Sequence, residues 1–398
     1  MPTLLSYLNV SNASNLQADS GFVFQESLLA ELRELGWDTV LVGPPGIGAV
    51  SASRTIEIPV PQSKYGVRYG MPWDTLDAEL AALPSAPDAL LVNQPELAVP
   101  LLALVSRAAG HRVPMGVYFH YVPVQAASDG VVTFDPSLDD DGLAASIWTR
   151  QVEAACFADV AMIGSTYGRD LFLAATTEPW RLADRFAIVP PPRTAGDEHH
   201  TEPAVPADPD EPVTLLYNHR LYAHYGTAEL TDRLEALAAR RPGAFRVVVT
   251  NPTGERSAER RRLDPSIDRA LDRLRTLPFV EVVTAADRAT YERVLARTDI
   301  ALGPLRENAL WNMAIVDAMA HGAPVVAYDR GAFPEIVGDP SMLHGGRDEF
   351  LDLLAALIDD PDLRRAAGAR ARARTREWEP ARIARQVAEL LSGSRHRA

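Results

Sequence analysis

The chain has 398 residues, of which 47% are hydrophobic and 23% charged, and its formal net charge is -14. This length exceeds one ordinary hydrophobic core, so we predict two domains, and the composition is that of a globular protein and excludes a disordered chain. The negative charge argues against a broad surface for nucleic acid, so we expect no nucleic-acid partner.

The first residues, the apolar runs and the single cysteine indicate the cellular compartment. Residues 1–15 lack the basic and apolar segments of a secretory signal, and no later run approaches ~18 apolar residues, so we predict a cytoplasmic protein without a transmembrane segment. Cys156 alone excludes an internal disulfide framework. Its place in the helical pattern "RQVEAACFADVAMIG" predicts a small buried side chain.

Strand-like and helical runs alternate through the first half of the chain. In order they are "TLLSYLNV", the helical "GFVFQESLLAELRELG", "DTVLVGPP", "DALLVNQPE", "PMGVYFHYVPV", the helical "SIWTRQVEAACFA", "DVAMIGS", a helix from Tyr167, and "FAIVPPP". This alternation is typical of βαβ units and a parallel sheet. We therefore predict a Rossmann-like domain over residues 1–192.

The pattern stops in a stretch rich in proline and acid, and residues 193–212 are predicted to be a linker. Adjacent histidines in an acidic loop make a poor metal site, so His199 and His200 are interpreted as solvated. The acidic run of Asp139, Asp140 and Asp141 is interpreted as a solvated turn, and no metal site is predicted.

A second alternating series begins at Val213. Its strand-like runs are "VTLLYNH", "FRVVVTNP", "VEVVTAA", "IALGPL" and "APVVAYD". We predict a second Rossmann-like domain over 213–375 and a C-terminal helix within 376–398. The predicted fold class is α/β, with two doubly wound domains facing a central cleft where a ligand would bind beyond the strand ends.

A long segment carries a family resemblance. Residues 304–339 read "PLRENALWNMAIVDAMAHGAPVVAYDRGAFPEIVGD". The parts "DAMAHGAPVVA" and "FPEIVGD" resemble the donor-binding signature of retaining GT-B glycosyltransferases of the family-four type. The stretches "ADVAMIGSTYGRDLF" and "TREWEPARIARQVAELL" are similar to the family's last N-domain elements and to its C-terminal helix, which crosses back onto the N-domain.

The resemblance implies a GT-B fold, in which residues 1–192 would bind the acceptor and residues 213–375 the nucleotide sugar, and it implies a reaction. Such an enzyme moves a sugar from a nucleotide-diphosphate donor, here a GDP- or UDP-sugar, to an acceptor that we expect to be a small molecule. It implies retention at the anomeric carbon, with the departing phosphate accepting the acceptor's proton. No metal and no cofactor beyond the donor is expected, and the oligomeric state stays open.

The stretch "LLYNHRLYAHYGTAEL" supplies the predicted site for the leaving group. A departing diphosphate develops negative charge, which an arginine fork and a helix N-terminus can meet. Arg220 lies at this strand end and is assigned a catalytic role, with Asn218 and Tyr225 assigned to the donor. The family has a lysine at the position of Tyr225, and Arg306 or Arg330 are candidates for the missing cation.

The resemblance also implies two acidic side chains. Asp317 matches the family's second glutamate, which holds the ribose hydroxyls, and a carboxylate there can accept both. The family's first glutamate falls on Ala309, eight residues earlier. Glu307 precedes it by two residues and is the candidate for contacting the sugar.

Further candidates lie at other predicted strand ends. His120 is placed where related enzymes use a histidine against the sugar. Ser20 and Gly21 precede a helix expected to begin near Phe22, and this glycine would let the backbone approach the diphosphate or the acceptor. The remaining assignments are Thr284 to the donor and Asn93, Gln94 and Glu96 to the acceptor.

Two alternatives stay open. Tyr225 and Ala309, in place of a lysine and a glutamate, suggest a degenerate GT-B protein that binds a nucleotide, a sugar or a partner without turnover. The Asn218-His219-Arg220 turn resembles that of transferases that mannosylate a modified tRNA nucleoside, which would make RNA the acceptor.

Overall fold

The computed structural model describes residues 1–8, 10, 16, 19–47, 51–59, 61, 64–127, 130–136, 142–194, 211–251, 265–284, 287–306 and 308–393. The chain divides into two compact units. The first comprises Met1–Pro192 and Trp378–Ala398, and the second comprises Arg193–Glu377. Residues 195–210 of the predicted linker, with His199 and His200, lie outside the described residues.

Among the described residues, the main sheet of the first unit has seven parallel strands in the order β3-β2-β1-β4-β5-β8-β9. Residues of β1, β4 and β5 are buried throughout, as expected for strands covered on both faces. The strands of this unit are β1 (Thr3–Tyr7), β2 (Asp38–Gly43), β3 (Arg54–Glu57), β4 (Ala89–Val92), β5 (Met115–Phe119), the antiparallel pair β6 (Val124–Ala126) and β7 (Val132–Phe134), β8 (Val160–Ile163) and β9 (Phe186–Ile188).

Helices follow the strands of the first unit, and the last helix of the chain returns to it. These helices are α1 (Ser20–Glu34), α2 (Lys64–Tyr69), α3 (Trp73–Ala81), α4 (Ala98–Ala109), α5 (Ala144–Phe157), α6 (Thr166–Ala174) and α14 (Pro380–Gly393). Helix α14 packs against α1, and Gln386 Nε2 donates to the backbone oxygen of Ile188 at 2.9 Å. This bond joins α14 to the edge strand β9.

In the described part of the second unit, six parallel strands form a sheet in the order β12-β11-β10-β13-β14-β15. Its strands are β10 (Val213–Tyr217), β11 (Phe245–Asn251), β12 (Val280–Thr284), β13 (Ile300–Leu302), β14 (Val325–Tyr328) and β15 (Leu343–His344). Its helices are α7 (Thr227–Arg240), α8 (Ser266–Arg275), α9 (Arg288–Leu295), α10 (Met313–Ala320), α11 (Phe333–Val337), α12 (Arg347–Asp359) and α13 (Pro361–Thr375). The doubly wound α/β class predicted from the sequence is confirmed.

The prediction that Cys156 is buried is wrong. Cys156 lies in α5 as expected, but its side chain is exposed. The buried face of this helix carries Gln151, Ala154 and Ala155, and the helical rotation of about 100° per residue turns the next position outward. Separately, no helix among the described residues is long and apolar enough to cross a membrane.

Helices α10 and α13 approach each other closely at a glycine. A Cβ atom on Gly368 would lie 2.1 Å from the backbone oxygen of Gly322, which follows α10. The oxygen belongs to the main chain, so it cannot rotate away as a side chain could. Only glycine fits at this contact without displacing one helix.

We predict that Gly368→Ala destabilises the second unit by about 1–3 kcal/mol, because the added methyl group overpacks this contact. Gly393→Ala is the matched control, since Gly393 is also helical and a Cβ there meets nothing within 4 Å. Urea unfolding followed by circular dichroism measures both. Equal midpoints for the two variants would contradict the close approach of α10 and α13.

Candidate active site

Strand β10 lies between β11 and β13, and the turn after it carries the predicted leaving-group site. Asn218 Nδ2 donates to the hydroxyl of Tyr291 at 2.8 Å and to the backbone oxygen of Ala314 at 2.9 Å. His219 Nε2 donates to the backbone oxygen of Leu302 at 2.9 Å. Burial lowers the pKa of His219 to about 4, so the ring is neutral at pH 7. These two buried side chains fix the turn that presents Arg220.

Arg220 itself is partly buried and makes no hydrogen bond or ion pair with any residue that the structure describes. Helix α7 begins a few residues later, and Gly226 at its start provides no side-chain cap for the first N–H groups. An uncompensated guanidinium and an uncapped helix N-terminus both favour an anion. The structure therefore leaves Arg220 available for the role that the sequence assigned to it.

The loop after β13 places one cation, Arg306, near Tyr225. The guanidinium of Arg306 lies 5.5 Å from the centroid of the Tyr225 ring, within the range of a cation–π interaction. Leu305 N donates to the backbone oxygen of Tyr225 at 3.1 Å, which holds the two loops together. Arg330 instead lies over Tyr328, at 5.0 Å. Of the two arginines considered for the missing lysine, the structure brings Arg306 to Tyr225.

Asp317 lies in α10 and is only 6% exposed. Thr194 Oγ1 donates to its Oδ1 at 2.6 Å, Tyr291 donates to its Oδ2 at 3.2 Å, and Arg288 Nη1 is 3.9 Å from Oδ2. Burial raises the pKa of Asp317, while Arg288 and the Thr194 hydroxyl oppose the rise. The carboxylate is thus a buried acceptor that already holds two hydroxyl donors, which is the chemistry that ribose would require.

Tyr291 links Asp317 to the turn after β10. It accepts a hydrogen bond from Asn218 and donates one to Asp317, so two residues assigned to the donor belong to one network. The Oδ1 atom of Asn218 is buried and has no hydrogen-bond partner among the described residues. An unsatisfied buried acceptor is costly, so a ligand N–H or O–H group would be stabilised there.

Sequence reasoning missed three residues that contact Asp317: Thr194, Arg288 and Tyr291. Thr194 lies in the proline-rich stretch, which has no periodic pattern, and no local signal marks it. Arg288 and Tyr291 lie in the first turns of α9, where polar side chains are ordinarily solvated. Arg288 Nη2 also donates to the backbone oxygen of Thr194 at 3.1 Å, which positions the threonine hydroxyl.

His120 follows β5 in the first unit, as predicted. Its Nε2 atom lies 3.0 Å from Asn93 Oδ1, and its ring packs against Phe24 and Tyr118 with centroid distances of 5.1 and 4.5 Å. Burial lowers the pKa of His120 to about 4. The imidazole is therefore neutral at pH 7 and acts through hydrogen bonds and not through charge.

The residues assigned to the acceptor are largely engaged with one another. Glu96 is 3% exposed and accepts hydrogen bonds from Tyr121, from Gln94 and, at 3.2 Å, from Arg68 Nη1. Burial raises the pKa of Glu96, and Tyr121 and Arg68 oppose the rise. This cluster stabilises the strand ends of the first unit, and protein donors already satisfy the Glu96 carboxylate.

The helix that Gly21 precedes begins earlier than expected, at Ser20 and not near Phe22. Asp19 is its N-cap, and Asp19 Oδ1 accepts hydrogen bonds from the backbone nitrogens of Gly21 and Phe22, each at 3.0 Å. Because the aspartate already occupies these N–H groups, the approach of a diphosphate to Gly21 has no free donor here.

One other predicted residue, Thr284, is described by the structure, and the rest are not. Thr284 ends β12, at the sheet edge and separated from β10 by β11. Glu307 lies outside the described residues, as do Asp139, Asp140 and Asp141. Over the part of the chain that is described, no group of three or more His, Cys, Asp or Glu side chains could hold a metal ion.

The second unit is similar to a known protein family. Residues 212–360 match the family described as glycosyl transferases group 1. A curated relative, the GDP-mannose-dependent monoacylated alpha-(1-6)-phosphatidylinositol monomannoside mannosyltransferase of Corynebacterium glutamicum, is 29% identical over 191 residues. That match spans 47% of this chain and about half, 49%, of the relative.

Solved structures share the fold of the whole chain. Sucrose-phosphate synthase from Thermosynechococcus elongatus superimposes with a TM-score of 0.73 at 16% identity, and the match covers 100% of both chains. HepE of Anabaena, solved in complex with UDP-glucose, gives a TM-score of 0.69 at 16% identity and covers 98% of this chain and 99% of its own. At this identity the likeness concerns the fold alone. The chain has the GT-B fold, and its residues 212–360 match the family of glycosyl transferases group 1.

Proposed function

We propose that the protein transfers a sugar from a nucleotide-diphosphate donor to a small-molecule acceptor, with retention at the anomeric carbon. The observation that carries this proposal is Arg220, a partly buried cation without a partner among the described residues, at the end of β10 in the unit that matches the family. The proposal is supported by the relative's use of GDP-mannose and by the complex of HepE with UDP-glucose.

The site residues of the second unit have distinct tasks in this reaction. Arg220, Arg306 and the N-terminus of α7 neutralise the diphosphate as its bond to the anomeric carbon breaks. Asp317 accepts hydrogen bonds from the ribose hydroxyls, in exchange for the one from Thr194, and Asn218 Oδ1 accepts from a ligand donor. The leaving phosphate takes the proton of the acceptor hydroxyl as the new glycosidic bond forms.

The resemblance assigns two further residues to the sugar. His120 would hydrogen-bond a sugar hydroxyl as a neutral imidazole. Glu307 would hold another hydroxyl through its carboxylate. We expect Glu307→Gln to impair transfer far more than nucleotide binding, because the nucleotide has no sugar hydroxyls for this carboxylate to hold.

The donor and the turnover are tested together. Thermal shift with GDP, UDP, GDP-mannose and UDP-glucose identifies the base, since a ligand that binds only the folded state raises the melting temperature. Mass spectrometry then follows donor consumption with a panel of small acceptors. Binding of a nucleotide without hydrolysis or transfer under every condition would favour the non-catalytic alternative.

For Arg220→Ala we expect turnover to fall about a hundredfold, or roughly 3 kcal/mol of transition-state stabilisation, because a cation on the leaving group is lost. Arg241→Ala is the matched control: Arg241 lies in the same unit but is exposed and paired with Asp359 at 2.7 Å. Steady-state kinetics with the identified donor measures both. Turnover near that of the wild type in Arg220→Ala would remove this arginine from the mechanism.

For Asp317→Asn we expect free nucleotide and donor to bind about ten- to a hundredfold more weakly, since a charge-assisted hydrogen bond contributes roughly 1.5–3 kcal/mol. The raised pKa also predicts a pH effect. As pH falls through that pKa, the carboxyl is protonated and the wild type loses affinity at a higher pH than an ordinary aspartate would.

Calorimetric titrations of wild type and Asp317→Asn across acidic pH separate this effect from titration of the nucleotide itself, which both proteins share. Asp359→Asn, an exposed carboxylate of the same unit, is the control and keeps the affinity of the wild type. Identical pH profiles for wild type and Asp317→Asn would contradict a ribose contact at Asp317.

We predict that chelators leave transfer intact, because arginines and a helix N-terminus supply the positive charge at the diphosphate. Assays with and without EDTA, with the protein's metal content measured in parallel, test this. Complete inhibition that added metal reverses would contradict it and direct attention to Asp139, Asp140 and Asp141.

A further inference from the structure

A buried chain of hydrogen bonds in the first unit ends at His120. Gln25 Nε2 donates to Ser6 Oγ, Asn93 Nδ2 donates to Gln25 Oε1, and Asn93 Oδ1 lies 3.0 Å from His120 Nε2. Ser6 and Gln25 are fully buried, and Asn93 is 6% exposed. The chain joins the end of β1, helix α1, and the residues that follow β4 and β5.

Two backbone oxygens determine the direction of this chain. Ser6 Oγ donates to the backbone oxygen of Leu91 at 3.4 Å, so its lone pairs face Gln25. Asn93 Nδ2 lies 3.4 Å from the backbone oxygen of Tyr7. A backbone oxygen can only accept, so the Asn93 amide nitrogen must face Tyr7 and Gln25. Its oxygen therefore faces His120.

An amide oxygen can only accept, so the ring nitrogen facing it must carry the hydrogen. We propose that the Ser6–Gln25–Asn93 chain holds neutral His120 as the tautomer protonated at Nε2, which makes Nδ1 a hydrogen-bond acceptor for the bound sugar. Gln25 and Asn93 are then positioning residues that act through His120. The sugar as ligand rests on the proposed function, whereas the tautomer does not.

This assignment restricts the ligand. No described residue bonds Nδ1, so it is the ring atom left for a ligand. An unprotonated nitrogen accepts from a hydroxyl but repels a group that only accepts. The tautomer thus selects a sugar hydroxyl that donates its hydrogen to His120.

The tautomer is measured in the full-length, ligand-free protein near pH 7. Long-range 1H–15N correlations of ¹⁵N-histidine-labelled protein distinguish the two neutral tautomers, and the His120→Gln variant identifies the His120 signals among the nine histidines. We expect Nε2 to be protonated and Nδ1 to be bare. A signal from the Nδ1-protonated tautomer, or an equal mixture, would overturn the proposal.

Three variants test whether the chain sets the tautomer. Gln25→Met removes one of the two acceptors that orient Asn93 and leaves only the 3.4 Å contact with the Tyr7 backbone oxygen, so we expect a mixture of tautomers. Gln25→Glu keeps an oxygen facing Asn93 Nδ2, and because this site is fully buried its carboxyl is protonated and donates to Ser6 Oγ, so the single tautomer should be restored. Leu28→Met alters a buried residue of the same helix outside the chain and should change nothing. A single Nε2-protonated tautomer in Gln25→Met would show that the chain does not set it.

Kinetics then connects the tautomer to the sugar. With the identified donor, we expect kcat of Gln25→Met to fall about tenfold, the size of one neutral hydrogen bond, while the affinity for free nucleotide stays unchanged. Gln25→Glu should recover kcat. An unchanged kcat beside a mixed tautomer would separate His120 from the sugar and overturn that part of the proposal. Absence of any transfer in the wild type would instead contradict the proposed function and leave the tautomer result standing.

Discussion

Parallel pairing of the strands is the constraint on which both candidate sites depend. All strands of a parallel sheet have their carboxyl ends on the same side of the sheet, so side chains that are distant in sequence meet there. In the second unit this brings Tyr225, in the segment after β10, to the loop after β13 that carries Arg306. In the first unit it brings Asn93, after β4, to His120, after β5. The chemistry at each edge follows from which residues end the central strands.

The positive charge proposed to meet the donor diphosphate comes from arginine and not from lysine. The chain contains one lysine, Lys64, and the position where the family has a lysine carries Tyr225. The structure offers an aromatic ring with the Arg306 guanidinium over it, so a cation reaches the same loop from another strand. Arginine also binds a diphosphate through a planar fork, which fixes orientation as well as charge. Tyr225 therefore replaces the family's lysine, and Arg306 supplies the positive charge that this lysine would carry.

The sequence predicted what local patterns determine and missed what tertiary contacts determine. Strand and helix alternation predicted both sheets. Strand-end placement suggested Arg220 and His120, the family resemblance suggested Asp317, and the roles of all three stay predictions. The bond from Thr194 to Asp317 joins residues 123 positions apart, and no pattern near either residue indicates it. The interpretation of Cys156 failed because helical periodicity alone does not say which face of α5 packs inward.

A crystal structure with the nucleoside diphosphate that thermal shift selects would test the central claim most directly. The account predicts diphosphate oxygens within hydrogen-bond distance of the Arg220 guanidinium, and ribose hydroxyls on the Asp317 carboxylate in place of the Thr194 hydroxyl. A diphosphate bound away from Arg220, with ribose away from Asp317, would contradict it.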